Sequence, residues 1–168
     1  SYIIMPQHDN LNLESFTMQA YIFPTTPDKG RQGILTKWNQ KTKSGYGLFI
    51  DENGCLSVSI GDGGGQISAL SSEKKLLRKV WYLVAATYDA ETGKLKLYQE
   101  PCVTPTNGGL GMSLLHPADE TTSHVETISN LKPRANDAPF LMAACTLNDR
   151  SGRYIHGGHY KEALTPIE

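Results

Sequence analysis

No run of about 18 apolar residues occurs anywhere in this chain, so nothing in it reads as a membrane-spanning helix. Net charge is nearly absent. The 16 Lys and Arg against 17 Asp and Glu leave a formal charge of −1, which removes any general attraction to nucleic acid or to an anionic membrane surface. Cysteine is sparse: Cys55, Cys102 and Cys145 lie far apart and form no C-x-x-C. An odd number cannot pair completely, so they read as free thiols in a reducing compartment, and the chain as cytoplasmic. Ser1-Tyr2-Ile3-Ile4-Met5 lacks the basic flank and long apolar stretch of a secretion signal. Helical periodicity is hinted at only in Leu76-Leu77-Arg78-Lys79 and Ala163-Leu164. The glycines of Gly61-Asp62-Gly63-Gly64-Gly65 have no Lys-Ser/Thr after them and no helix to open, which excludes a phosphate cradle and leaves a hairpin tip.

What the chain does have is a succession of short strand-like runs, at 2–5, 16–23, 32–38, 46–51, 55–60, 124–128, 140–145 and 152–160, punctuated by Gly, Pro and Asn. The clearest run covers 81–89 and returns through Gly93-Lys94-Leu95-Lys96-Leu97-Tyr98. Side chains alternate along a strand, so Trp81, Leu83, Ala85 and Thr87 share one face and Tyr82, Val84, Ala86 and Tyr88 the other. Both faces are apolar or aromatic, which predicts cover on both sides and puts Trp81 in the core. Asp89-Ala90-Glu91-Thr92-Gly93 and Asp51-Glu52-Asn53-Gly54 carry hairpin turn chemistry. In the run 55–60, Leu56, Val58 and Ile60 are expected to face inward, with Ser57 and Ser59 in solvent. Residues 99–123 are rich in Pro, Gly and Thr, show little pattern, and read as a functional or mobile loop. A 168-residue chain with 39% hydrophobic residues suits one domain with its own core. The expected fold is all-β, a two-sheet antiparallel jelly-roll sandwich.

The ordered set of motifs resembles the laminin G-like, concanavalin A-like jelly-roll domains. Asn10-Leu11-Asn12-Leu13-Glu14-Ser15-Phe16-Thr17, leading into an apolar strand closed by Pro24, is similar to that family's opening. Gln32-Gly33-Ile34-Leu35-Thr36-Lys37 and Gly45-Tyr46-Gly47-Leu48-Phe49-Ile50 resemble its next two strands, and the hairpin from Trp81 its most recognisable one. Gly152-Arg153-Tyr154-Ile155 through Tyr160, then Ala163-Leu164-Thr165-Pro166, resembles its closing strand and tail. Ile155 and His156 stand where the family usually has an acidic residue, which counts against a family calcium site. The exit Gln99-Glu100-Pro101 and the insert after it resemble, more narrowly, the module in the large subunit of N,N-dimethylformamidase-type amidohydrolases. The resemblance implies a single laminin G-like domain over 1–168, excised from a longer chain. It further implies a non-catalytic recognition or structural module whose partners are other domains or subunits of a parent protein. The hydrolytic site would then lie in a different domain. A stand-alone carbohydrate-binding lectin is the alternative, with a glycan as partner, and a glycoside hydrolase ranks below both.

Candidate residues follow from chemistry. Trp38, Tyr46 and Tyr98 are aromatic platforms of the kind that stack on sugars, and Asp62 is a loop carboxylate able to accept hydroxyl hydrogen bonds. Tyr82, Tyr88 and Tyr160 belong to the same aromatic set. Asp9 and Asn10, and next to them Asp51, Glu52 and Asn53, are hard oxygen donors that suit calcium, although Asp and Asn also build ordinary turns. His156 and His159 would point to opposite faces of a strand and so would not share a metal. Glu100, Glu120 and Glu126 form no i, i+2 acid pair on one strand, and Ser123-His124 lacks a nucleophile elbow. No catalytic residue is assigned.

Overall fold

The computed structural model describes residues 2–102 and 117–146. The strand expected at 152–160, with His156, His159 and Tyr160, lies outside the described residues, as do 103–116 of the unpatterned insert. Ten strands are described. They are β1 (Ile3–Met5), β2 (Phe16–Ile22), β3 (Gln32–Asn39), β4 (Ser44–Ile50), β5 (Cys55–Asp62), β6 (Ile67–Lys75), β7 (Tyr82–Asp89), β8 (Lys94–Pro101), β9 (Ser123–Ile128) and β10 (Phe140–Met142). Short 3-10 helices occupy Asp9–Leu11 and Pro117–Thr121.

All pairings are antiparallel, in two sheets. One has the order β1-β10-β3-β4-β5-β6, the other β2-β7-β8-β9. Their inner faces form one core: Phe16, Met18, Ile22, Tyr82, Val84, Ala86, Tyr88, Leu95 and Leu97 meet Tyr46, Leu48, Ile50, Leu56, Val58 and Ile60. The result is the jelly-roll sandwich that the alternation predicts. The stacked rings of Phe16 and Tyr46, with centroids 4.7 Å apart, join the layers, and Tyr88 beside Phe16 in the same sheet tilts against it at 5.8 Å.

Three inward tyrosines bury their rings and turn their hydroxyls to the rim, where each finds a partner, as buried phenols must. Tyr46 Oη donates to the Leu11 carbonyl at 2.8 Å and Tyr88 Oη to the Leu131 carbonyl at 3.0 Å. Tyr82 Oη accepts from the Leu77 amide and shares a 2.9 Å bond with Thr121 Oγ1. At another margin, buried Lys37 donates through Nζ to Gln7 Oε1, to the carbonyls of Asn136 and Ala138, and to Asn136 Oδ1. Desolvation holds its pKa below the usual lysine range, an effect opposed by nearby Asp137.

Four expectations change. Ser57 and Ser59 are buried rather than solvated, because the outer face of the larger sheet is itself covered. Phe49 lies over Gly47 and Trp38 against Gly61, positions where an added Cβ would collide with those rings. The Arg31 guanidinium sits 4.0 Å from the Phe49 ring centroid. Trp81 is half-buried just ahead of β7, its ring tilted against Phe23 with centroids 5.2 Å apart, and is not in the core. The run 67–75, not assigned from sequence, is β6. Finally, β8 extends through Gln99-Glu100-Pro101, which had been assigned to the loop.

Candidate functional site

The structure does not bring the sequence-predicted ligand residues together. Trp38 and Tyr46 are 1% and 2% exposed, so neither offers a ring face to a ligand. This corrects their assignment as sugar platforms, and the cause is packing: Trp38 lies under the outer cover of the larger sheet, and Tyr46 is inside the core. Burial pushes the Tyr46 phenol up to about 12. Asp62 spends Oδ1 on the amides of Gly64 and Gln66, at 2.7 and 3.1 Å, and so shapes the β5–β6 turn. Asp51 and Asp89 act likewise. Asp51 accepts from the amides of Asn53 and Cys55 and from Ser71 Oγ. Asp89 accepts from Thr92 Oγ1 and the Glu91 amide, which lower its pKa in that order. Asp9 and Asn10 sit exposed on the first 3-10 helix, with the Asn10 amide donating to His8 Nδ1. Among the described residues no three His, Cys, Asp or Glu side chains gather as a metal-holding set.

Only Tyr98 of the four lies on an open face, the outer surface of the sheet β2-β7-β8-β9. Directly paired residues of antiparallel strands share a face. The pairings therefore put Gln19, Ala85, Tyr98 and His124 in one row across all four strands. The neighbouring row holds Tyr21, Leu83 and Glu100, and the one on the other side Thr17, Thr87, Lys96 and Glu126. His124 Nε2 contacts Glu100 Oε1 at 2.7 Å, and the Tyr98 ring meets the His124 ring edge-on at 5.3 Å. Lys96 Nζ stands 3.9 Å from Glu126 Oε2. Tyr21 is 67% exposed, and the tilted ring pair of Phe23 and Trp81 continues the aromatic strip.

His124 and Glu100 are both about half exposed. An imidazole and a carboxylate in open solvent bind and orient through hydrogen bonds, but they lack the water-excluded setting in which such groups do strong acid–base work. The face presents aromatic rings flanked by hydrogen-bond donors and acceptors. Sequence reasoning found Tyr98 but not His124, Glu100, Gln19 and Tyr21 as its neighbours. The usable signal was parity, since Lys96, Tyr98 and Glu100, like His124, Glu126 and Ile128, alternate with inward residues.

Two curated relatives carry the name N,N-dimethylformamidase beta subunit. The one from Alcaligenes sp is 36% identical over 129 residues, which is 77% of this chain and 16% of that protein. The one from Paracoccus aminophilus is 33% identical over 115 residues, 68% of this chain and 15% of that protein. This chain thus spans only about a sixth of the length of the curated relatives it matches. Among solved structures, the CBM40 of Ruminococcus gnavus IT-sialidase bound to alpha2,3 sialyllactose is similar at 18% identity and a TM-score of 0.44, covering 79% of this chain and 77% of that one. The family model described as Concanavalin A-like lectin/glucanases superfamily matches residues 1–101, and the chain belongs to that family.

Proposed function

We propose that this chain is a non-catalytic accessory module of a longer amidohydrolase subunit of the N,N-dimethylformamidase type, serving in packing and recognition. The observation that carries this reading is the match at 36% identity over 77% of this chain but only 16% of the Alcaligenes protein. The described residues support it. Asp51, Asp62 and Asp89 are engaged in turns, and Glu100 and Glu126 in surface pairs. The polar and aromatic face around Tyr98 suits contact with other domains or subunits. Three cysteines with no disulfide between them, two of them buried, fit a reducing cytoplasm.

The test is an assay of the purified chain with N,N-dimethylformamide. Release of dimethylamine no faster than in the enzyme-free control is expected, and catalytic turnover would overturn the reading. A second reading, carbohydrate recognition, is favoured by one feature: the half-exposed Tyr98 ring, bordered by Gln19, Glu100 and His124. Calorimetry against common sugars at millimolar concentration separates the two. The module reading expects no saturable heat, and a saturable isotherm lost in Tyr98→Ala would establish the second.

A further inference from the structure

The larger sheet ends differently at its two edges. At β6 the edge is blunted. Glu73, Lys74 and Lys75 are exposed, the register slips between Cys55 and Ser57, and Glu73 takes a φ of 59°. Beyond the slip β6 turns toward the other sheet, where Ser72 Oγ donates to Gln99 Oε1 and Ser123 Oγ to the Ser72 carbonyl. Charges and bulges of this kind keep an edge from pairing with another strand.

At β1 there is no charge and no bulge, and the strand is limited only by its three-residue length and by Pro6 after it. Ile3, Ile4 and Met5 are 58%, 49% and 39% exposed, and they project to both faces of the strand. Pairing to β10 through Ile3–Met142, Ile4–Leu141 and Met5–Phe140 uses one side of the backbone. Among the described residues β1 is the sheet's last strand on its other side.

We propose that β1 is an interaction edge, occupied by the β1 of a second copy in antiparallel register about a two-fold axis. The strand is self-complementary: centred on Ile4, the pairing sets Ile4 against Ile4 and Ile3 against Met5, and no charge meets another. With β6 blocked, β1 is the one open edge of the larger sheet among the described residues, so pairing through that sheet closes at two copies instead of growing into a filament. Pro6 follows β1 and donates no amide, which limits the paired length. A strand of three residues covers less than the roughly 800 Å² per partner of a standard interface, so the dimer is weak, with a dissociation constant above about 1 μM. The proposal is independent of the module reading.

Sedimentation equilibrium of the 168-residue chain from about 10 μM to about 1 mM tests it. A monomer–dimer equilibrium is expected. Ile3→Lys and Ile4→Lys, which load opposite faces of β1, should each weaken it at least about tenfold by burying a charge or setting like charges together. Ile67→Lys, on the opposite edge, should leave it unchanged. Amide exchange in the unsubstituted chain is the readout that needs no variant: Ile3, Ile4 and Met5 should slow as concentration rises. A chain monomeric throughout would overturn the proposal, and is the result expected if β1 instead receives a strand from elsewhere in a longer chain. Dimers that survive both β1 variants, loss of dimer in Ile67→Lys, or assembly beyond two copies would also overturn it.

Discussion

The two sheets treat their outer faces in opposite ways. In the larger sheet, β4 is buried along its whole length and β5 along all but its last residue, so inward and outward positions are equally dry. In the smaller sheet burial alternates strictly along β7, and the outward row carries polar and aromatic side chains into solvent. The larger sheet therefore behaves as scaffold. The smaller one is scaffold on its inner face, and its outer face is the surface to which the proposed module role assigns contact. Substitutions should separate the two.

The largest effect is expected at Trp38. Replacing it with Ala empties space beneath the outer cover of the larger sheet, where its ring meets Phe49 edge-on at 6.0 Å. Loss of a buried aromatic costs about 3–5 kcal/mol, read as a lower urea midpoint. A loss below about 1 kcal/mol would mean the outer cover contributes little and the two faces are energetically alike.

Tyr46 sharpens the same contrast through pH. Its phenol is raised to about 12, against roughly 10 for a solvated tyrosine. Between those values the unfolded chain releases a proton that the folded chain keeps. Stability therefore falls as pH rises from about 10 to about 12, by at most about 2–3 kcal/mol. Tyr88 is raised by burial as well and adds to the slope in the same direction. Tyr46→Phe should cost about 1 kcal/mol at neutral pH, through loss of the bond to Leu11, and should flatten the alkaline limb. An unchanged limb in chemical denaturation from pH 9 to 12 would place the titration elsewhere (about this range).

These two residues also show where sequence reading runs out. The period-two alternation from Trp81 to Asp89 placed Tyr82, Val84, Ala86 and Tyr88 on one face, and they are the inward row. The Asn-Gly turn likewise marked the return from β4 to β5. Alternation states which residues share a face but not whether that face is covered. Trp38 and Tyr46 were misassigned for that reason, and so were Ser57 and Ser59. Strand β6 escaped notice because Ser68, Ser71, Ser72 and Glu73 dilute its apolar signal, and its pairing is decided by β5 instead. The His124–Glu100 pair spans 24 residues and depends on the β8–β9 register, which no local pattern encodes.

On the open face the effects should be small. Tyr21→Ser removes a ring that is already 67% exposed, and the change in stability should stay within about 0.5 kcal/mol. The same variant should reduce capture of any partner that docks on this sheet, so the sign of the comparison reverses: Trp38→Ala affects folding first, Tyr21→Ser affects binding first.

The smallest expected effect is the coupling between Lys96 and Glu126. Their charges are 3.9 Å apart and both side chains are well exposed, at 36% and 60%. Water screens such a pair, and holding two long side chains in one geometry costs entropy, so a double-mutant cycle with Lys96→Ala and Glu126→Ala should give less than about 0.5 kcal/mol. In 1 M salt, where the Debye length is about 3 Å, that remainder should vanish. A coupling above about 1 kcal/mol that persists in salt would show that the pair is shielded from water. The outer face of the smaller sheet would then resemble the larger sheet's covered face, and the division between scaffold and contact surface would fail at its most exposed point.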